Sequence, residues 1–446
     1  MNLLNEEQKY AVSSVMEGHN ILLTGSAGTG KSYTIKYIIE YLNNANKNFA
    51  ITASTGTAAV MIGGQTLHSF LGLGLGTGSI KDILGNILKN KKKHENILKL
   101  DVLIIDEISM IDKELFEKIS DVLSIIKSSE EYFGNIQLIL VGDFCQLAPV
   151  KGKYCFLSEI WNKINIKIIL LEKLIRQDED LLFQQILKIV RKGKCTDNII
   201  KVLDRLRDTK FENGIIPTKL YPINVNVDKI NNIEIEKLKK QGNISKLYPA
   251  ITSCDKEKEG EKFAIELTLN AQVIIIRNIS VEESLVNGTR GVIKHLGADY
   301  VIINDINGNI HTIKYFTDSF NNKVSSKSSY IIHMPIRICY ALSIHKSQGM
   351  TIDALELDLG PNIFTCGQSY TALSRAKKLS SIKIIDVDKG SFRTNKDVKN
   401  FYMTCVSSNN SNNSNNSNNS NNSNNSNNSN NSNNSNNSNN SNNSNK

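Results

Sequence analysis

Short apolar runs bounded by glycine or polar residues recur along the first part of the chain: "ILL" (21–23), "FAITA" (49–53), "VLIID" (102–106), "IQLILVG" (136–142) and "IKIILL" (166–171). Runs this short and this uniformly apolar predict strands covered on both faces, as in a parallel sheet. Between the first two, Ile35, Ile38, Ile39 and Leu42 fall at helical spacing. The period therefore switches from strand to helix and back, which is the mark of βαβ units. A second series, "AQVIIIR" (271–277), "IRICYAL" (336–342), "ALELDL" (354–359) and "SIKIID" (381–386), predicts a second α/β domain. Within it, residues 292–334 alternate over short stretches with Gly and Asn turns ("VIINDINGNIHTI"), predicting a small β module inserted at about 288–335.

The remainder of the chain has a different character. From Ser408 to Lys446 it is a Ser-Asn-Asn triplet repeat with no apolar residue to bury, so residues 407–446 are expected to be disordered. Two readings of this tail compete: assembly through Asn-rich contacts, or replication slippage in the gene. With 446 residues the chain exceeds one ordinary core. At 40% apolar and 22% charged, with no apolar stretch long enough to cross a bilayer, it reads as a soluble protein without a membrane partner.

A net charge of +9 favours a polyanionic partner. Lys, Ile and Asn are nevertheless used heavily throughout, as an AT-rich genome would impose. The seven Cys include no C-x-x-C pair, which argues against a disulfide framework or a zinc site and for a reducing compartment. "MNLLNEEQKYAV" carries neither an apolar signal core nor an Arg-rich transit pattern. The protein is expected to be intracellular rather than secreted, in a nucleus or at a cytoplasmic viral replication site.

"GSAGTGKS", Gly25 to Ser32, fits G-x-x-x-x-G-K-[ST] and stands between a strand and an amphipathic helix. In such a loop the backbone N–H groups of Gly25, Ser26, Ala27, Gly28, Thr29 and Gly30 curl around phosphate oxygens, and the helix N-terminus favours negative charge. Lys31 would neutralise the β/γ-phosphates and Ser32 would ligate Mg²⁺. Asp106 and Glu107 end an apolar strand at the edge where carboxylates emerge beside such a loop. Asp106 suits the Mg²⁺ shell and Glu107 suits activation of an attacking water; the alternative is two ordinary charges at a strand end. Gln146, just past a third strand, could touch the γ-phosphate and that water, or be a surface loop residue.

Taken in order, "LNEEQKYAV", "GSAGTGKS", "TASTGTAAVMIGGQTLHSF", "IIDEISM", "GDFCQLAPV", "RQ" at 176–177, "LVNGTRGV", "ALSIHKSQGMT" and "GQSYTALSRA" resemble the petite-integration-frequency (Pif-type) DNA helicases. These are RecD relatives in helicase superfamily one that move 5′ to 3′. The resemblance covers residues 3 to 406 and implies two RecA-like P-loop lobes, at 1–175 and 176–406. It also implies a small wedge insert at 72–98 and an SH3-like β insert at 288–335.

The resemblance further implies that ATP lies between the lobes and that the product is unwound DNA. Gln8 would read adenine, Arg176 and Arg375 would be presented to the γ-phosphate by the second lobe, and Gly349 would close near the nucleotide. Lys31, Asp106, Glu107 and Gln146 keep the roles reasoned above. Thr55, Thr66, His68 and Ser69 on the first lobe, and His345, Lys346 and Ser347 on the second, would contact a DNA strand.

At 72–98, Lys89 and Lys91 to Lys93 could meet duplex phosphates at a fork, while a charge run of this kind is more simply a solvated loop. The implied partners are single-stranded DNA and forked or tailed duplexes, with the protein acting as a monomer. Two other readings stay open on residues alone: a P-loop ATPase that remodels complexes without unwinding, and a passive nucleic-acid-binding module derived from a helicase.

Overall fold

The computed structural model describes residues 3–405, except 74–75, 77, 151, 212–215, 223–226, 253–262, 278, 281–284, 286, 306 and 321–328. The Ser/Asn tail from 407 therefore lies outside the described residues. One compact unit comprises Met1–Asn395; a separate one, Lys396–Lys446, begins with a helical stretch at 396–405.

Six parallel strands form the first sheet: β1 (Ile21–Gly25), β2 (Phe49–Ala53), β3 (Gln65–Thr66), β4 (Val102–Asp106), β5 (Gln137–Gly142) and β6 (Lys167–Leu171), in the order β3-β2-β4-β5-β1-β6. Every residue of β1, β2 and β4 is buried, as expected for strands covered on both faces. On one face the helix Lys31–Asn44 buries Ile35, Ile38 and Leu42, while Ile39 is only partly covered. The helix Glu6–Met16 adds Ala11, Val12 and Val15 to the same cluster. Because all strands run the same way, the phosphate loop after β1, Asp106–Glu107 at β4 and Asp143 after β5 leave the sheet at one edge.

The later strands divide differently from the sequence expectation. A second parallel sheet contains β7 (Thr218–Tyr221), β18 (Ala341–Ser343), β19 (Leu355–Leu359) and β20 (Ile382–Val387), in the order β18-β7-β19-β20. Its interior strand β7, "TKLY", does not stand out in the sequence, because only Thr218 and Leu220 are buried and Lys219 interrupts the run. "AQVIIIR" is not a member. Its strand β11 (Gln272–Ile275) pairs antiparallel with β12 (Arg290–Leu296) and β17 (Ile336–Ile338).

With β13 (Tyr300–Asp305) and β14 (Ile310–Lys314) these make a five-stranded antiparallel sheet, ordered β14-β13-β12-β11-β17. "IRICYAL" is thus split, its first half in the antiparallel sheet and its end in the parallel one. Arg290, 1% exposed, spans the division: its guanidinium donates to the Ala354 and Cys339 carbonyls and to Gln272 Oε1. The antiparallel strands begin well before 288, since β8 (Ser245–Tyr248) pairs with β10 (Ile265–Thr268), and β9 (Ile251–Thr252) pairs with β16 (Ser329–His333), which in turn pairs with β15 (Phe316–Phe320).

Within 72–98, Lys89, Lys91 and Lys92 are exposed as a solvated run would be, but residues 80–98 are mostly helical rather than a loop. Helices run Ile80–Leu88 and Lys91–Leu98, capped by Ser79 and Asn90, and they bury Ile83, Ile87 and Ile97. Lys91 to Lys93 form the first turn of the second helix, and Lys93 Nζ donates to the Ser69 carbonyl at 2.6 Å.

The antiparallel region carries its own buried charge cluster. Asp318 accepts Arg277 Nε at 2.8 Å and lies 2.8 Å from His333 Nε2. Burial alone would raise its carboxyl, but His333 and Arg277 together hold it below the usual range. A depressed carboxyl contributes stability above its unfolded pKa and loses it as pH falls through the folded value. Asp318→Asn is therefore expected to cost about 3 kcal/mol at pH 7, since it leaves Arg277 without its partner. The deficit should shrink below about pH 4; denaturant unfolding at the two pH values measures it.

Candidate active site

A cleft of about 680 Å³ gathers Gln8, Gly28, Gly30, Lys31, Ser32, Asp106, Glu107, Gln146, Arg176, Gly349 and Arg375, residues spread over most of the chain. The phosphate loop forms its floor. Gly28 (φ +87°) permits a close approach there, because a β-carbon would stand 2.7 Å from Arg176 Cβ. Lys31 Nζ donates to the Gly25 and Ser26 carbonyls at 2.9 and 3.0 Å. Burial pushes its pKa down, while the charges of Asp143 and Glu107 oppose that push. A cation so held is poised to exchange two loop carbonyls for an anion.

Opposite Lys31 stand the two carboxylates. Asp106 Oδ1 accepts the Glu107 N–H at 2.9 Å. Burial, and then the neighbouring charge of Glu107, raise the Asp106 carboxyl to about 7. Burial likewise raises Glu107, against the pull of Lys31. Glu107 has left-handed backbone, φ +52° and ψ +44°, a conformation costly for a residue with a side chain and often found at functional sites. Its carbonyl accepts Ser54 Oγ, and Gln348 Nε2 lies 3.5 Å from its Oε2.

Arg176 and Arg375 come in from different parts of the fold. The Arg176 backbone N–H donates to the Gly28 carbonyl, so its main chain is anchored on the phosphate loop rather than on the second sheet; its guanidinium donates to the Ser374 carbonyl. Arg375 follows the helix Gln368–Leu373 and donates to the Thr371 and Ser347 carbonyls and to Ser374 Oγ. Its Nη2 reaches Gln146 Oε1 at 3.4 Å. Burial and the proximity of Arg375 lower Arg176 to about 9, and burial also lowers Arg375. Among the described residues every hydrogen bond from these two guanidinium groups goes to a neutral oxygen. A buried and a half-buried cation without a carboxylate in hydrogen-bond contact favour a polyanionic ligand.

Gln8 closes one end. Its Oε1 accepts the Asn5 N–H in a capping box, which leaves Nε2 buried without a hydrogen-bond partner among the described residues. At the other end Gly349 approaches the first sheet's helix Gly56–Met61, where a β-carbon would meet the Met61 sulfur at 2.8 Å.

The residues expected at a DNA strand are arranged less uniformly. Thr55 Oγ1 accepts the Ala58 N–H and Thr66 Oγ1 accepts the Ser69 N–H, so both hydroxyls cap short helices. Ser69 is exposed, and His68 is half-buried with its pKa lowered by burial. On the second lobe His345 and Lys346 keep partial exposure, and burial lowers His345. Ser347, expected beside them, is fully buried; its Oγ donates to the Ile344 carbonyl and its own carbonyl accepts Arg375. Its contacts thus lie on the arginine side. Sequence reasoning missed Asp143, Arg191 and Tyr370, which meet behind the phosphate loop. Asp143 stands just past a strand end, as Asp106 does, but nothing in the sequence pairs it with a distant arginine.

The family model described as PIF1-like helicase matches residues 3–210. The human ATP-dependent DNA helicase PIF1 is 34% identical over 418 residues, covering 90% of this chain and 64% of the relative. The chain thus spans just under two thirds of that curated relative. The crystal structure of Pif1 helicase from Candida albicans superposes with a TM-score of 0.73 at 31% identity, covering 91% of this chain and all of that one. Bacteroides Pif1 in complex with ADP-AlF4 gives 0.77 at 26% identity, with coverage of 91% and 98%. The two parallel sheets are accordingly RecA-like lobes, and the chain belongs to the PIF1-like helicase family.

Proposed function

We propose that this chain is an ATP-dependent 5′–3′ DNA helicase that translocates on single-stranded DNA and unwinds forked or tailed duplexes as a monomer. It would serve genome replication, repair or recombination inside the cell, in a reducing compartment. The observation that carries the reading is a pair of guanidinium groups, Arg375 buried and Arg176 half-buried, facing the same cleft as Lys31 with only neutral oxygens as hydrogen-bond acceptors among the described residues.

In this reading Lys31 and the loop amides other than that of Ala27, which donates to Tyr370 Oη, hold the phosphates, and Gln8 Nε2, without a partner among the described residues, supplies a donor for adenine. Glu107 orients and deprotonates the attacking water, Gln146 bridges that water to the γ-phosphate, and both arginines neutralise charge as it develops. The all-oxygen donor set of Ser32 and Asp106 fits Mg²⁺, which takes one or two carboxylates plus phosphate oxygens. The raised Asp106 carboxyl is what a nearby cation would reverse. Mg²⁺ when bound supplies charge neutralisation at the phosphates.

Arg176 sits on the phosphate loop and reaches Ser374, while Arg375 reaches Gln146 from the other side. Nucleotide binding therefore draws the lobes together and loss of the γ-phosphate lets them part. Thr55, Thr66, His68 and Ser69 on one lobe, and His345 and Lys346 on the other, grip the strand; Ser347 supports Arg375.

ATP-dependent unwinding of matched duplexes tests the proposal. Unwinding is expected with a 5′ single-stranded tail and not with a 3′ tail. Unwinding confined to the 3′-tailed duplex would refute the polarity, and ATP hydrolysis that single strands do not stimulate would refute the helicase reading.

A further inference from the structure

Behind the phosphate loop lies a polar chain that the proposed mechanism leaves without a role. Tyr370, on the helix Gln368–Leu373 of the second lobe, is 3% exposed. Its Oη accepts the Ala27 N–H at 2.9 Å and donates to Asp143 Oδ2 at 3.2 Å. Asp143 is fully buried and takes a two-point pair from Arg191, with Nε to Oδ2 at 3.0 Å and Nη2 to Oδ1 at 2.8 Å.

The direction of every bond in this chain is determined. A backbone N–H only donates. The Asp143 carboxylate only accepts, because Arg191 outweighs burial and holds it below the usual range. The phenol stays protonated, since burial and the charge of Asp143 push its pKa up. One hydroxyl of the second lobe thus satisfies an amide inside the phosphate loop and orients the carboxylate whose charge most favours protonated Lys31.

We infer that Tyr370 is a positioning residue: through Ala27 and Asp143 it couples the shape of the phosphate loop to the second lobe, so that nucleotide binding and lobe position bias one another. This rests on the ATPase reading above and deepens it. Arg176 and Arg375 act on the phosphate from its outer side; Tyr370 acts on the loop that receives it. When the second lobe swings away, Ala27 loses its partner and the loop loosens; when nucleotide orders the loop, the Tyr370 site is presented. A coupling of this kind is reciprocal by linkage.

Tyr370→Phe in the full chain removes one oxygen and little volume. The KM for ATP in the DNA-stimulated reaction is expected to rise about tenfold while kcat changes by less than about threefold, as for loss of ground-state binding. Hydrogen-exchange protection of the Ala27 amide is expected to fall about tenfold or more, without equal loss in β4 or β5. A wild-type chain that hydrolyses ATP beside a Tyr370→Phe variant of equal KM overturns the coupling and leaves the proposed function standing. Unchanged protection at Ala27, or a uniform loss across the first sheet, overturns the coupling too. That exchange measurement needs no hydrolysis, so it judges Tyr370 even in a chain that proves to have no ATPase activity.

Discussion

Lys31→Ala is expected to lower kcat/KM for ATP by about 10³-fold or more, comparable to removing a principal electrostatic stabiliser from an enclosed site. The ammonium rests on two loop carbonyls, half-buried in the cleft, with its pKa pulled down by burial. Part of its desolvation is therefore already met before nucleotide arrives, and its attraction for phosphate is less diluted by water than that of an exposed lysine. Alanine removes that charge and leaves Asp106, Glu107 and Asp143 with one less cation to offset them. Steady-state ATP hydrolysis with and without single-stranded DNA measures the loss. A Lys31→Ala chain that still unwinds duplexes would show that the motor lies elsewhere.

Arg375→Ala should act mainly on kcat, by about 10³-fold or more, as arginines that stabilise phosphoryl-transfer charge do. Its guanidinium is buried, its acceptors are neutral oxygens of its own lobe, and among the described residues its one hydrogen bond across the cleft goes to Gln146 Oε1 at 3.4 Å. The same side chain also braces the Ser347 and Thr371 carbonyls, so Arg375→Lys is the informative companion. Lysine keeps the charge but lacks the planar fork that serves several acceptors together. It is expected to restore thermal stability more fully than kcat. Full recovery of kcat in Arg375→Lys would mean that charge alone suffices; an unaffected kcat in Arg375→Ala would place the residue outside the reaction.

Much of this site was legible because its parts are local. A phosphate loop needs glycines, a lysine and a hydroxyl within a few residues, between a strand and a helix, and "GSAGTGKS" states all of that. Asp106 and Glu107 were found because an apolar run ends on them. The second lobe was harder. β7 lies inside its sheet yet reads as "TKLY", since the alternation of two buried and two half-buried residues is too short to stand out. "AQVIIIR" looks like a parallel core strand but pairs antiparallel, because apolar content reports burial and not strand direction. Ser347 was grouped with its neighbours by proximity in sequence, while the turn at 343–350 points it inward.

Local chemistry was enough to establish from the sequence an α/β chain with a nucleotide loop and its carboxylates, since each such feature is complete within one short segment. Which cations face one cleft, that the Arg176 guanidinium reaches Ser374 while Arg375 comes from the second lobe, and that Tyr370 meets the loop at Ala27 were decided by the packing of lobes. Those contacts join residues separated by 198 positions, as in Arg176 Nη1 to Ser374 O, and by up to 343, as in Ala27 N to Tyr370 Oη. No propensity or spacing rule reaches so far along a chain; only the closed surface of two packed sheets brings such groups within hydrogen-bond distance.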